Sequence, residues 1–180
     1  IAILAIIVIA VSLVGSPTDI RILKGFLISL AGAVALQVYS GNSGVLSFGH
    51  VGFVALGAYG SALLTASTKI KAAGIPDAPA FILASQLPFL PAMLAGMAVA
   101  GILAAITGPT FVRLSGAAAA VATLGLMVVV HTVLSNADWL TRGSRAFSGI
   151  PPFATTLWCF AVASVIILVA RLFRDSAYGL

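Results

Sequence analysis

Gly41, Asn42, Ser43, Gly44, Ser47, Gly49 and His50 crowd one stretch of an otherwise apolar chain, Ser40-Gly41-Asn42-Ser43-Gly44-Val45-Leu46-Ser47-Phe48-Gly49-His50. Glycine frees the backbone from helical geometry, while asparagine and serine offer donors and acceptors without the desolvation cost of a fixed charge. Those properties suit a pathway for a zwitterionic solute, which must exchange its water for both kinds of partner. They equally suit a turn between two helices with Ser and Asn caps, and the two roles can coexist. His50 is expected to donate a hydrogen bond to a neighbouring helix. Farther along, Thr123 stands beside a small-residue face, where its hydroxyl either reaches the pathway or bonds back to its own helix. His131 is ionisable inside an apolar run with no acidic neighbour in sequence, so a packing hydrogen bond is expected.

Composition sets the solvent around these residues. The chain has 180 residues, 61% hydrophobic and 7% charged, with a mean hydropathy of +1.20. Soluble domains carry about 25% charged residues, so this composition identifies an integral membrane protein. Six apolar windows, 1–15, 22–39, 51–65, 89–106, 117–134 and 155–173, read as membrane helices. A barrel is excluded, because its strands alternate polar and apolar residues and these runs are apolar on every face.

The runs 25–39 and 51–65 that flank the break are short against the roughly 20 residues that a crossing needs, so the polar stretch is expected to complete the span. A backbone that leaves the helix in lipid must find protein partners or line a wet cavity. Short or Gly-interrupted segments therefore point to transport sites at membrane depth. The chain opens inside an apolar run without an initiator Met and stops just past a basic boundary, so both ends are expected to be cut.

Four aspartates, no glutamate and nine Lys+Arg give a net charge of +5. Most basic residues stand at the ends of apolar runs, where snorkelling and lipid phosphates accommodate them, and no nucleic-acid surface is expected. If Arg171 and Arg174 mark a cytoplasmic end, alternation places Arg113 inside but Arg21, Lys24, Lys69, Lys71, Arg142 and Arg145 outside, against the positive-inside rule. Cys159 is the single cysteine, which leaves neither a disulfide framework nor a metal-ligand spacing. Gly96, Ala100, Ala104 and Gly108 recur every four residues, and Gly49, Gly52, Gly57 and Gly60 share a helical face. Close backbone contact between helices is expected at both sets.

The stretch from Gly32-Ala-Val-Ala-Leu36 through Tyr39-Ser-Gly-Asn-Ser-Gly-Val-Leu-Ser-Phe-Gly-His-Val-Gly-Phe53 to Leu56-Gly-Ala-Tyr-Gly-Ser-Ala-Leu-Leu64 resembles the membrane permease subunits of branched-chain amino-acid ABC importers. Arg113-Leu-Ser-Gly116 followed by Ala122-Thr-Leu124 is similar to that family's short basic loop and the helix after it. Leu140-Thr-Arg-Gly-Ser144 with Gly149-Ile-Pro151 is similar to its outer loop, and Asp175-Ser-Ala-Tyr-Gly-Leu180 to the start of its cytoplasmic coupling segment. Two departures stand out. Ala118, Ala119 and Val128 occupy positions where the family often has an aromatic pair and an acidic residue, and Arg142 and Ala146 occupy positions where its outer loop commonly has glycines.

The resemblance implies an all-α polytopic bundle of about six spans, a single permease domain over 1–180 that is a fragment of a larger permease. It implies a multi-pass protein of a bacterial-type inner membrane that carries branched-chain or related amino acids. The partners implied are cytoplasmic ATPase subunits, a second permease subunit and an extracytoplasmic solute-binding protein. Gly41, Asn42, Ser43, Gly44, Ser47, Gly49, His50 and Thr123 would line the substrate pathway, and Ser176, Tyr178 and Gly179 would couple to the ATPase. No cofactor is expected, and hydrolysis would reside in the partners, since this chain has no Gly-x-x-x-x-Gly-Lys-Ser/Thr stretch to cradle phosphates.

Two other classes compete. Gly41-Asn42-Ser43-Gly44 fits the Gly-x-Ser-Gly signature of rhomboid intramembrane serine proteases, for which His131 would have to approach Ser43 across two helices as the base. Rhomboids, however, carry a His-x-x-x-Asn element, and the spacing from His131 to Asn136 does not match it. An ATP-independent channel or carrier is the other. Such carriers often hold carboxylates at membrane depth, whereas Asp19, Asp77, Asp138 and Asp175 all fall in connections.

Overall fold

The structure, a computed structural model, describes residues 1–111, 113–143, 145, 150 and 153–176, without the side chains of Asn42 and Ser43. Among the described residues the regular elements are all helices: α1 (Ala2–Val14), α2 (Pro17–Ser43), α3 (His50–Thr65), α4 (Thr68–Gly74), α5 (Ala80–Ala84), α6 (Phe89–Phe111), α7 (Gly116–Asn136), α8 (Asp138–Thr141) and α9 (Thr156–Arg174). Four of them, α2, α6, α7 and α9, are long and apolar enough to cross a membrane; α3 pairs with α4 across a 116° bend, and α1 is a shorter apolar helix. The fold is thus a polytopic bundle of membrane helices. Large apolar side chains such as Ile3, Leu13, Ile106 and Leu157 face outward, as they must where lipid is the solvent.

Three helix boundaries differ from the sequence expectation. At the start of α2, Ser16, Pro17 and Asp19 form a capping box: the Ser16 amide donates to Asp19 Oδ2 at 2.9 Å, and the Asp19 amide donates to Ser16 Oγ at 3.3 Å. This satisfies end donors that the helix leaves open and draws its start back to Pro17. At the other end α2 continues through Ser40 to Ser43. From Pro17 to Tyr39 alone its residues reach about 35 Å, more than the hydrocarbon thickness of about 30 Å, so α2 needs no help from the polar stretch. The expectation that the break completes this span is corrected accordingly. Likewise α6 runs past Gly108 and through Pro109 to Phe111 before it ends.

The chain's contacts gather into two units, Ile1–Val45 with Pro152–Leu180, and Leu46–Pro151. In the first, α1, α2 and α9 pack around Val8, Leu23, Leu27, Ala31, Cys159 and Ala163. The Thr155 hydroxyl caps α9 by accepting from the Trp158 amide at 3.3 Å, and Arg171 and Arg174 occupy its last turn, where cations complement the carbonyl end.

In the second unit α3 is the central element. Its glycines divide between two neighbours. A methyl group on Gly96 of α6 would stand 2.5 Å from the Gly57 carbonyl oxygen, and one on Gly60 would stand 3.3 Å from Gly96 Cα, so α3 and α6 cross backbone to backbone. On the other side, methyls on Gly49 and Gly52 would meet Thr123 and Val130 of α7. The register shows that α3 runs antiparallel to α6 and parallel to α7. Small residues at both contacts allow the close approach that holds helices together in lipid.

The connection between α3 and α6 is folded. Leu63, Ile75 and Ala78 form a small core with Ile82, Leu83 and Leu140 around them. Lys71 is fully buried there. Its ammonium donates to the Ile82 carbonyl at 2.7 Å, to the Ser85 carbonyl, and to Ser85 Oγ at 3.2 Å. Those carbonyls belong to the end of α5, so the lysine serves as its C-terminal cap.

Candidate functional site

The backbone leaves α2 at Gly44, which takes the left-handed conformation (φ 65°, ψ 7°) while its amide donates to the Ser40 carbonyl at 3.0 Å. That conformation favours glycine, and this is the αL stop common at helix ends. Gly41 and Gly49 were expected to leave helical geometry too; they do not. Gly41 lies inside α2, and Gly49 has ordinary right-handed angles (φ −67°, ψ −22°). What Gly49 supplies is space, since a methyl there would stand 3.3 Å from the Thr123 carbonyl oxygen.

The segment before α3 is tied to α7. The amide of Phe48 donates to Thr123 Oγ1 at 3.2 Å, and the Thr123 hydroxyl donates in turn to the Ala120 carbonyl at 3.0 Å. Thr123 is buried at 3% exposure. Its hydroxyl thus bonds back to its own helix, one of the two roles expected for it, and also accepts from the backbone that precedes α3. Thr123 stands seven residues beyond Gly116 in α7, which places the tie roughly 10 Å inside that helix. α3 starts there without a side-chain cap.

His50 does not reach a neighbouring helix through Nδ1, which lies 2.9 Å from the carbonyl of Ser47, three residues back. The ring thereby closes the turn that starts α3. Of the expected pathway residues, the structure brings together Ser47, Gly49, His50 and Thr123 in the second unit. Gly41 and Gly44 belong to the first unit, and the side chains of Asn42 and Ser43 lie outside the described residues. Ser176 caps α9, its hydroxyl donating to the Phe173 carbonyl at 2.6 Å; Tyr178 and Gly179 lie outside the described residues.

Along the same face a cleft of about 340 Å³ opens between α3 and α7. Val51, Ala55, Met127 and Val130 make its walls apolar, and Tyr59, His131 and Arg145 supply polar groups. An apolar cavity with a few polar groups is the ordinary form of a small-molecule site. His131 therefore borders a cavity rather than a packed interface. Tyr59 and Arg145 were not singled out from the sequence for this face. The parallel course of α3 and α7 brings them together, and that course is fixed by Gly49 and Gly52, whose shared helical face was the one available signal.

The model of the branched-chain amino acid transport system permease component family matches residues 19–179. The match includes the Gly-x-Ser-Gly stretch that suggested a protease, so those residues lie within a permease domain. No curated protein and no solved structure matches the chain. The four long apolar helices and this match make the chain a multi-pass integral protein of the plasma membrane. It belongs to the branched-chain amino acid transport system permease component family.

Proposed function

We propose that this chain is a membrane permease subunit of an ATP-driven importer that takes branched-chain or related amino acids from an extracytoplasmic solute-binding protein. Cytoplasmic ATPase subunits and a second permease subunit complete the machine. The observation that carries the reading is the tie between Phe48 and Thr123, which holds an irregular, glycine-bearing backbone two turns within a helix long enough to span the membrane. Backbone of that kind is tolerated at depth where it borders protein or a wet cavity, and interrupted helices of this type mark transport sites. The cleft of Val51, Ala55 and Met127 continues from it.

In this mechanism Gly49 supplies the close approach, and Ser47, His50 and Thr123 the polar lining; Gly41, Asn42 and Ser43 end the helix that leads into the break, and Gly44 supplies its stop. None of the four aspartates lies in the interior of a long helix; Asp19 sits in the first turn of α2 and Asp175 at the cap of α9. That distribution supports an external energy source over ion coupling. Ser176, Tyr178 and Gly179 would transmit closure of the ATPases to α9 as a rigid-body push.

The test is ATP-dependent uptake of labelled leucine into vesicles holding the full-length protein with its ATPases, second permease and binding protein. Uptake that requires ATP and the binding protein is the expected result. Uptake of no aliphatic amino acid would remove the substrate assignment, and uptake without ATP would remove the energy source. Replacing Tyr178 by Ala should lower transport per ATP hydrolysed; unchanged coupling removes its docking role.

A further inference from the structure

Beyond the C-terminal end of α7, Asp77, Asp138, Trp139, Arg142 and Arg145 line a depression of about 300 Å³. Its walls come from the connection after α4 and from α8 with the residues following it. Two aspartates and two arginines thus line one depression. Arg145 also lines the apolar cleft between α3 and α7, so the charged depression and the cleft share a wall.

Asp138 and Arg142 stand on a pinned backbone. Thr141 is buried at 1% exposure and its hydroxyl donates to the Leu134 carbonyl at 2.5 Å and the Ala137 carbonyl at 3.0 Å, pinning α8 to the end of α7. Arg142, directly after it, has φ 63°, the one non-glycine residue with positive φ among the described residues. Its side chain lies against Gly74, where an added methyl would stand 3.1 Å from Arg142 Cδ and Nε. Asp138 Oδ1 lies against Gly143, which itself has φ 58° and no room for a side chain. Backbone held in a sparsely populated conformation beside a cavity is a signature of functional sites.

The geometry points to a recognition site for an aliphatic α-amino acid, its carboxylate on Arg142 and Arg145, its ammonium on Asp77 and Asp138, and its side chain directed into the cleft of Val51, Ala55, Met127 and Val130. This assignment rests on the amino-acid permease reading above and gives it a place of entry. A zwitterion needs both signs of charge in one place, and the two Asp and two Arg of the depression offer it charge-assisted hydrogen bonds at no net charge. Volumes of about 300 and 340 Å³ stand at the small end of ligand sites, suited to one amino acid and not to a peptide. The apolar cleft then sorts side chains by shape, and the charged depression rejects solutes that lack either main-chain charge.

Photo-leucine, a diazirine analogue of leucine, tests this in the full-length protein assembled with its partner subunits in lipid vesicles. Adducts are expected on residues 51–59 or 127–145. Leucine should block labelling at concentrations about tenfold below 4-methylpentanoate, which lacks the ammonium, and 3-methylbutylamine, which lacks the carboxylate. Asp77→Asn combined with Asp138→Asn should close the gap for the acid, and Arg145→Gln the gap for the amine. Equal competition by all three compounds, or adducts confined to residues 1–45 and 153–176, overturns the site. Uptake of labelled leucine is measured on the same vesicles. ATP-driven uptake without adducts in the cleft overturns this site and leaves the importer standing; adducts with charge discrimination but no ATP-driven uptake support the site and overturn the importer.

Discussion

The Phe48 amide and the Thr123 hydroxyl, 75 positions apart in sequence, meet at 3.2 Å and fix where the break lies along α7. Replacing Thr123 by Val keeps the shape of the side chain and removes the acceptor, which leaves a part-buried amide unpaired. The expected cost is about 1–3 kcal/mol. Thr123→Ser should restore the bond. Thermal unfolding and leucine uptake are the measurements: Val should lower both, Ser should recover both, and equal behaviour of the two variants would deny the tie a role.

The α3–α6 crossing gives a prediction with its own internal control. Gly96→Ala places a methyl 2.5 Å from the Gly57 carbonyl oxygen, so the helices must separate. Overpacking of this kind costs about 1–3 kcal/mol. Gly101, in the same helix, has nothing within 4 Å of an added methyl. Gly101→Ala should instead be neutral or stabilising by up to about 1 kcal/mol, because alanine is the better helix former. Thermal melts of the two variants in one detergent should move in opposite directions from each other.

Lys71→Met should loosen the connection between α3 and α6. Methionine fills a similar volume but leaves the Ile82 and Ser85 carbonyls without the ammonium that now caps them. The cost expected is about 1–3 kcal/mol, and it should be local. Limited proteolysis is the direct measurement: cleavage within 67–88 should accelerate while the long helices stay protected. Lys71→Arg offers no rescue, since full burial leaves no room for a larger head group.

How far the sequence carries is clear from these residues. The glycine-bearing break was legible because polar residues and glycine are anomalous in lipid, whatever surrounds them. Its extent was not. Gly41 and Asn42 look like breakers, but an intact α2 ladder tolerates them in its last turns, and only Gly44 takes the left-handed angle. The small-residue face of α3 was legible as a periodicity; that Gly49 and Gly52 serve α7 while Gly57 and Gly60 serve α6 was not, because one face can bend around two neighbours. The charged depression was least legible of all. Asp77 and Asp138 read as ordinary connection residues, and they line one cavity only because Thr141 pins α8 on α7 and the α4–α5 connection folds onto its own core.

Arg142 separates stability from function most sharply. Its left-handed angle of 63° is one that glycine adopts without strain, whereas a side chain pays about 1–2 kcal/mol. The recognition role proposed for the guanidinium would account for an arginine rather than a glycine at this angle. Arg142→Gly should therefore leave thermal stability no lower than wild type while it weakens leucine recognition. Arg142→Ala keeps the strain and loses the guanidinium, so it should lower both stability and uptake. The pair of melts and uptake rates decides between a recognition role and simple loop packing: if Gly transports as well as Arg, the charge is dispensable, and if Gly unfolds as readily as Ala, the backbone angle is not the source of strain.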